Sequence, residues 1–467
     1  MLLRKTVTWL LFLAVPLQAA LGLTGDGGSV SRAEQEEPAA KKAQENKKAD
    51  QEYYELLRLF VDALDQVERN YVREVNRREL VEAAIEGMLS KLDQHTSYIA
   101  PQELDRFTSG VESEFSGLGI QVSLENGKLT ILSPLVDTPA YRAGLMAGDV
   151  ITHIGGQPTE GLSLDEAVRR LKGKIGTPVT LVVQHPGGKG TETVTLTREM
   201  IRVQTVSGAH RNPDDSWDFM CDKEHGIAYV RLAVFGRHTA EEMRRVLGQL
   251  VTQKMRGLVL DLRFNPGGLL TSAIAVADLF VSQGRIVSTA GRNVEEQTWE
   301  AEAQGTFEGF PMAVLVNRYS ASASEIVAAC LQDHQRAVIV GQRTFGKGTV
   351  QNVIPLEDGR SKLKMTTALY RRPNGKNIER LPDARDSDDW GVRPDEGLEV
   401  ALSESQTQKL ARAIRQRSLP RNGGPAAAAE ELPPDPQLDK ALAYLRARIQ
   451  PQEKSVASEP APAAGQR

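Results

Sequence analysis

The chain has 467 residues, enough for two or three domains with ample buried core. Its 57 Lys and Arg against 61 Asp and Glu give a net charge of −4, so no basic excess exists to neutralise a nucleic-acid backbone. At 25% charged and 40% hydrophobic the composition is that of an ordinary globular protein, and its 2 cysteines make no disulfide framework.

The amino terminus has the order of a secretory signal. Arg4 and Lys5 precede an apolar run from Val7 to Val15, and Ala20-Leu21-Gly22 offers a small-residue cleavage site. The run is shorter than the about 20 residues a spanning helix needs, and an uncleaved anchor stays open as the alternative. Residues 26–52 are polar and charged and read as a linker. From Tyr53, apolar residues recur at helical spacing through Leu56, Leu57, Phe60, Val61, Leu64 and Val67. A second helix is predicted over Arg78–Leu92.

Residues 103–200 form a compact, mostly β unit. Strands are predicted at Gly119–Leu124, Leu129–Leu132, Asp149–Ile154, Val179–Gln184 and Thr191–Thr197, with two helices at Pro139–Ala143 and Leu164–Leu171. From 201 to 405, short apolar runs alternate with helices. The runs Gly226–Leu232, Gly257–Leu262, Met312–Val316 and Ala337–Val340 read as buried parallel strands. Helices at Ala240–Gln253, Leu269–Phe280 and Ala323–Asp333 lie between them, which predicts an α/β core. Residues 406–467 form an extension. It contains the low-complexity Ala426–Ala429 and Pro433-Pro434, a helix over Pro436–Ile449 and a disordered tail over 451–467. Cys330 falls on the apolar face of its helix and reads as a buried thiol. No Cys or His cluster has metal-ligand spacing, so no metal is expected.

Several segments between these elements could carry chemistry. Ser322 stands at a helix start, and Ser322-x-x-Glu325 fits a capping box, so a plain cap is one reading. The other is a nucleophile: a helix N-terminus has free N–H groups and a positive dipole end suited to an oxyanion. Lys347 follows 25 residues later between Gly346 and Gly348, which permit close backbone approach. A lysine of pKa ~10.4 is neutral in roughly one molecule in a few thousand at pH 7. Drawing it near 7 by desolvation costs about 4–5 kcal/mol. The apolar runs Val338–Val340 and Val350–Ile354 can supply the dry surroundings. Gln351 could orient the amine, but a straight strand sets Lys347 and Gln351 about 13 Å apart, so contact requires a bend. Asp261 to Gly268 follows a buried strand, and Pro266-Gly267-Gly268 marks a tight turn that can aim N–H groups at a ligand. Asp261 and Arg263 within it read as an ion pair. Gly117-Leu118-Gly119-Ile120 opens the 103–200 unit with a loop able to hold a peptide carboxylate. The 7 histidines leave a Ser-His-Asp arrangement open by count, but none sits in so distinctive a segment.

Together these segments resemble the C-terminal processing peptidases, or tail-specific proteases, over roughly 53–400. The serine segment Ser320–Glu325, the lysine segment Thr344–Gln351 and the turn Asp261–Gly268 each match. Phe115–Ile120, Pro139-Ala140, Ala143–Leu145 and Gly148–Ile151 resemble a PDZ domain. Asp93–Tyr98 and Gly391–Asp395 resemble the segments that flank the PDZ domain and close the core. Tyr319 stands where glycine is usual and Gln94 where proline is usual. The resemblance implies a crotonase-like α/β serine protease core with an inserted PDZ domain and N-terminal helices. It implies Ser322 as nucleophile, Lys347 as base, Gln351 as its orienting partner, and an oxyanion hole from Gly268 and Ala323. It further implies no cofactor, substrate proteins bound by their C-terminal tails, dimerisation through the N-terminal helices, and an exported, periplasmic or extracytoplasmic location. An adaptor protein that recruits targets stays open. The competing reading is a non-catalytic PDZ scaffold; a metal hydrolase is a more distant one.

Overall fold

The computed structural model describes residues 33–187, 190–420 and 433–449. The expected signal over 1–25 lies outside these, as do Ala426–Ala429 and the tail 451–467. The chain divides into two units, Met1–Ala83 and Ala84–Arg467. Among the described residues, no helix is long and apolar enough to cross a membrane.

The first unit is helical. Helix α1 spans Ala33–Asn70, and α2, which spans Arg77–Leu89, begins in this unit. The stretch read as a linker, 26–52, is therefore helix over its described part. Its Ala, Glu, Lys and Gln are all strong helix formers, and without an apolar stripe no periodicity announces them. Leu56, Leu57, Phe60, Val61 and Val67 stand exposed on α1. The Arg77 guanidinium returns to Glu68 at the end of α1.

In the second unit, β1 (Ser97–Ile99) and α3 (Leu104–Glu112) lead into the region predicted over 103–200. A ribbon of β2 (Glu114–Gly117) and β8 (Glu199–Arg202) closes that region. Between them β3 (Ile120–Glu125), β4 (Lys128–Pro134), β5 (Val150–Ile154), β6 (Pro178–Gln184) and β7 (Thr191–Thr197) pair antiparallel in that order. Helices α4 (Pro139–Arg142) and α5 (Leu164–Leu171) complete it. Leu129, Ile131, Ile151, Leu181 and Val183 fill its own core.

The core sheet has the order β9 (Val206–Ser207), β11 (Ile227–Leu232), β12 (Gly257–Asp261), β15 (Met312–Val316), β16 (Val338–Gly341), with β10 (Met220–Asp222) also on β11. The β11–β12, β12–β15 and β15–β16 pairs are parallel, as the continuous apolar runs predict. Alternate residues serve opposite faces. Leu258, Leu260, Met312 and Val314 meet α6 (Thr239–Thr252), α7 (Leu270–Asp278) and α8 (Ala323–Asp333). Val259, Ala313 and Leu315 meet Ala441, Leu442 and Leu445 of α10 (Pro436–Arg448). Thus the helix predicted within the extension is a structural layer of the core. Helix α9 (Glu404–Ser418) packs Leu410 and Ile414 against Phe264.

A second, antiparallel sheet was not predicted. It joins β1, β18 (Ser361–Arg371), β13 (Arg285–Gly291) and β14 (Val294–Glu300), with β17 (Thr349–Leu356) also on β18. Its β14 and β18 are mostly part-exposed and rich in Glu, Lys, Thr and Arg, so they lack the apolar runs that mark the parallel strands.

Candidate active site

Three turns meet at the carboxyl ends of adjacent parallel strands. One leaves β12 for α7, one leaves β15 for α8, and one leaves β16 for β17. In open α/β sheets that edge is where ligands bind. The turns carry Gly268, Ser322 and Lys347 respectively, so the fold gathers three segments that are far apart in sequence.

Ser322 is the residue immediately before α8, with φ 55° and ψ −114°. That backbone region is strained for any residue with a side chain, and such strain persists only where neighbours enforce it. Ser322 is 7% exposed, and the phenol of buried Tyr370 faces its hydroxyl. The Ser322 N–H donates to the Glu325 carboxylate at 2.8 Å, so the capping reading holds for the backbone. The turn from β12 passes against the serine. A Cβ on Gly267 would stand 2.7 Å from the Ala321 carbonyl oxygen, 2.8 Å from Ser322 Cβ and 2.9 Å from the Ala323 nitrogen. A Cβ on Gly268 would collide with the Phe235 carbonyl oxygen at 2.2 Å. Among the described residues, the N–H groups of Gly268 and Ala323 have no hydrogen-bond acceptor. Two unpaired donors beside a strained serine suit a developing negative charge.

Lys347 lies in a loop pinned residue by residue. Phe345 N–H donates to the Ser320 carbonyl at 3.0 Å, and Gly346 N–H and Lys347 N–H donate to Glu325 at 2.7 and 2.8 Å. Gly348 N–H donates to the Glu379 carboxylate at 2.6 Å. The Lys347 amine is held below the usual lysine range, first by burial and then by the Lys364 ammonium, with Glu379, Glu325 and Asp93 opposing. The expected shift is thus present in direction, and its second cause after burial is a lysine from β18.

Gln351 is placed differently. Its amide donates to the hydroxyls of Thr349 at 2.8 Å and Thr366 at 3.3 Å. Among the described residues, the Lys347 amine makes no hydrogen bond with Ser322 or Gln351. The strand begins only at Thr349 and is irregular between Val350 and Gln351, so a bend exists but does not bring the two side chains together here.

Three participants were not evident in the sequence. Glu325 is fully buried, and its carboxyl is pushed up to about 7 by burial against four hydrogen bonds that favour the charged form. His95 is held below its usual range by burial and by Lys347. Asp93 shapes that segment by accepting His95 N–H and Thr96 N–H at 2.7 and 2.9 Å. Glu325 was visible as a capping-box residue; its reach to the lysine loop was not. The other histidines serve elsewhere; His185, for example, bridges Asp149 and Glu192. Among the described residues, no cluster of His, Cys, Asp or Glu could hold a metal ion. Cys330 is a buried thiol, pushed up to about 12 by burial.

The loop Gly117–Ile120 edges a cavity of about 210 Å³ whose other wall is Val168, Leu171 and Lys172 from the end of α5. Its carbonyls are occupied: Leu118 accepts from Ala140 and Gly119 from Leu135. Among the described residues, the N–H groups of Leu118 and Gly119 have no acceptor. Tyr319, the unusual residue before the serine segment, is 43% exposed and stacks on Phe264 at 5.6 Å between ring centres.

The chain is similar to known proteins over the regions that contain these segments. A family model described as peptidase family S41 matches residues 226–397, one for the PDZ domain matches 130–185, and one for the activating protease CtpB N-terminal domain matches 21–102. The chain is 36% identical over 416 residues to the carboxy-terminal-processing protease of Bartonella bacilliformis, covering 86% of this chain and 90% of that one. It is 32% identical over 361 residues to the carboxy-terminal processing protease CtpB of Bacillus subtilis, covering 77% and 73%. It is 36% identical over 338 residues to the carboxyl-terminal-processing protease of Synechocystis, covering 72% and 75%.

Proposed function

Since this chain belongs to peptidase family S41, as a serine-type carboxy-terminal processing protease, we propose that Ser322 is its nucleophile and Lys347 its general base. Neutral Lys347 takes the Ser322 hydroxyl proton as Oγ attacks the scissile carbonyl carbon. The resulting oxyanion is met by the Gly268 and Ala323 N–H groups and by the N-terminus of α8. The Lys347 ammonium then protonates the leaving amine, and the acyl-enzyme ester forms. Water, deprotonated by Lys347, attacks that ester, and the Lys347 ammonium returns the proton to Oγ as the acyl–oxygen bond breaks and Ser322 is freed. Gln351 orients the amine once substrate has drawn the lysine loop and β17 together.

The observation that carries this reading is the strained Ser322 backbone beside two unpaired N–H donors, with a desolvated lysine loop tied to the same glutamate. The PDZ domain takes the carboxyl end of a substrate protein at Gly117–Ile120 and feeds the chain to Ser322. The amino-terminal signal exports the protein to the periplasm or another extracytoplasmic space, either cleaved or kept as an anchor. The exposed apolar residues of α1 supply a homodimer surface.

The experiment is proteolysis of an unfolded reporter with an apolar carboxyl-terminal tail, comparing the parent with Ser322→Ala and Lys347→Ala. Cleavage lost in both variants supports the dyad. Cleavage that survives both overturns it. A reporter bound intact by the parent favours the scaffold reading.

A further inference from the structure

Arg263 is a fully buried cation in the turn that carries Gly268. Its Nε donates to both oxygens of Asp261, at 3.0 and 3.1 Å, and its Nη2 donates to Asp261 Oδ2 at 2.7 Å. The opposite side of the guanidinium faces the extension. Nη1 and Nη2 donate to the two oxygens of Asp435 at 2.8 and 2.9 Å, and Nη1 also donates to Gln437 at 3.1 Å. Bidentate pairing of this kind fixes both distance and angle. Asp435 is itself the cap of α10, accepting Leu438 N–H at 3.1 Å, and Gln437 donates onward to the Val400 carbonyl at 2.9 Å. One carboxylate therefore ties the start of α10 to the turn.

The turn transmits that hold. Phe264 follows Arg263 with φ +59°, a conformation unfavourable for a bulky side chain. Asn265 comes next. It donates to the Leu232 carbonyl at 2.9 Å, accepts Gly267 N–H at 2.9 Å, and its carbonyl accepts Ala321 N–H at 3.0 Å. A displacement of Arg263 passes through this short, strained segment to Gly267 and Gly268.

We propose that Asp435 is a positioning residue for acyl transfer: through Arg263 it holds the turn that presents the Gly268 N–H, so α10 belongs to the catalytic apparatus although it lies outside residues 226–397. The proposal rests on the reading of Gly268 as an oxyanion donor.

The test compares Asp435→Asn with Leu442→Ala in the full chain. Leu442 is a buried α10 residue about two helical turns beyond Asp435 and is no partner of Arg263, so its truncation loosens the helix without removing an Arg263 contact. Labelling of Ser322 by a fluorophosphonate, inhibition by a peptide boronate, melting temperature and amide exchange over 264–269 are read for each. Asp435→Asn should slow labelling and weaken boronate binding by about tenfold, less than loss of a whole oxyanion donor. It should also speed exchange over 264–269. Leu442→Ala, compared at a temperature that matches its stability, should label like the parent. Equal slowing in both variants, or parent-like labelling of Asp435→Asn, overturns the proposal. If Asp435→Asn does not fold, Gln437→Met removes one guanidinium contact and is read the same way. A parent that is never labelled at Ser322 defeats the catalytic reading. Exchange over 264–269 then still decides whether Asp435 holds the turn, and unchanged exchange overturns that.

Discussion

One oxygen of Glu325, Oε2, accepts the N–H of Lys347 and that of Ser322, both at 2.8 Å. The other, Oε1, accepts the Thr344 hydroxyl and Gly346 N–H at 2.5 and 2.7 Å. A single buried carboxylate therefore spans the serine and lysine segments and sets their backbones in register.

Glu325 gives the fold a pH dependence of known sign. Burial raises its carboxyl from 4.5 to about 7 in the folded state, so between these values the folded chain binds more protons than the unfolded one. Its contribution to stability is full below pH 4.5 and declines as pH rises toward 7, by at most about 3 kcal/mol. Urea unfolding from pH 4 to pH 8 should show this slope in the parent and lose it in Glu325→Gln. Identical slopes would refute the assignment.

Ser322→Gly should be inactive yet more stable. Glycine adopts φ 55° and ψ −114° freely, whereas serine there is strained. Relief of about 1–3 kcal/mol, less the entropy that glycine costs, leaves a net gain of about 1 kcal/mol. Ser322→Ala should be inactive without that gain. Thermal unfolding of the three chains decides it, and a less stable glycine variant contradicts the strain.

If Lys347 is the base, the Lys364 charge should reach the reaction through it. That charge helps depress the Lys347 amine, so Lys364→Gln should raise the base toward the ordinary lysine range. Less of it is then neutral at a given pH. The acid limb of the pH profile of kcat/KM should move to higher pH, with a few-fold loss near neutrality. A limb that stays in place shows that burial alone sets the base.

Gly267→Ala should inactivate the enzyme with modest effect on tail binding. The added methyl meets the Ala321 carbonyl and Ser322 Cβ at under 3 Å from a backbone of φ +100°. Displacement of the turn by about 1 Å is enough for a loss of about 100-fold in kcat. Peptide affinity at Gly117–Ile120, measured by fluorescence anisotropy, should match the parent.

Much of this was legible in the chain. The parallel strands announce themselves because both faces are buried, so Met312–Val316 and Leu258–Leu260 are unbroken apolar runs. The serine and lysine segments stand out because glycine and small residues cluster where backbone must approach backbone. What stayed hidden is non-local. Val294–Glu300 pairs as a strand with little apolar signal, since its register is supplied by β13 rather than by its own pattern. The Arg263–Asp435 pair spans 172 residues, and no local rule links its members. Gln351 was expected beside Lys347, but nearer hydroxyls on Thr349 and Thr366 hold its amide.

The segment 342–348 that carries Lys347 leaves the parallel sheet at Gly341 and joins the antiparallel sheet at Thr349, whereas Ser322 belongs wholly to the first. The proposed nucleophile thus sits on one side of a seam, and the proposed base sits in the loop that crosses it. Ile286, Val287 and Tyr370 of the antiparallel sheet share one hydrophobic core with Leu258, Leu260, Met312 and Val314 of the parallel sheet, so the spacing of this pair cannot change without disturbing that core. The alignment of the proposed dyad is in that sense a gauge of how the two sheets are seated, and Glu325 is the rivet across the gap.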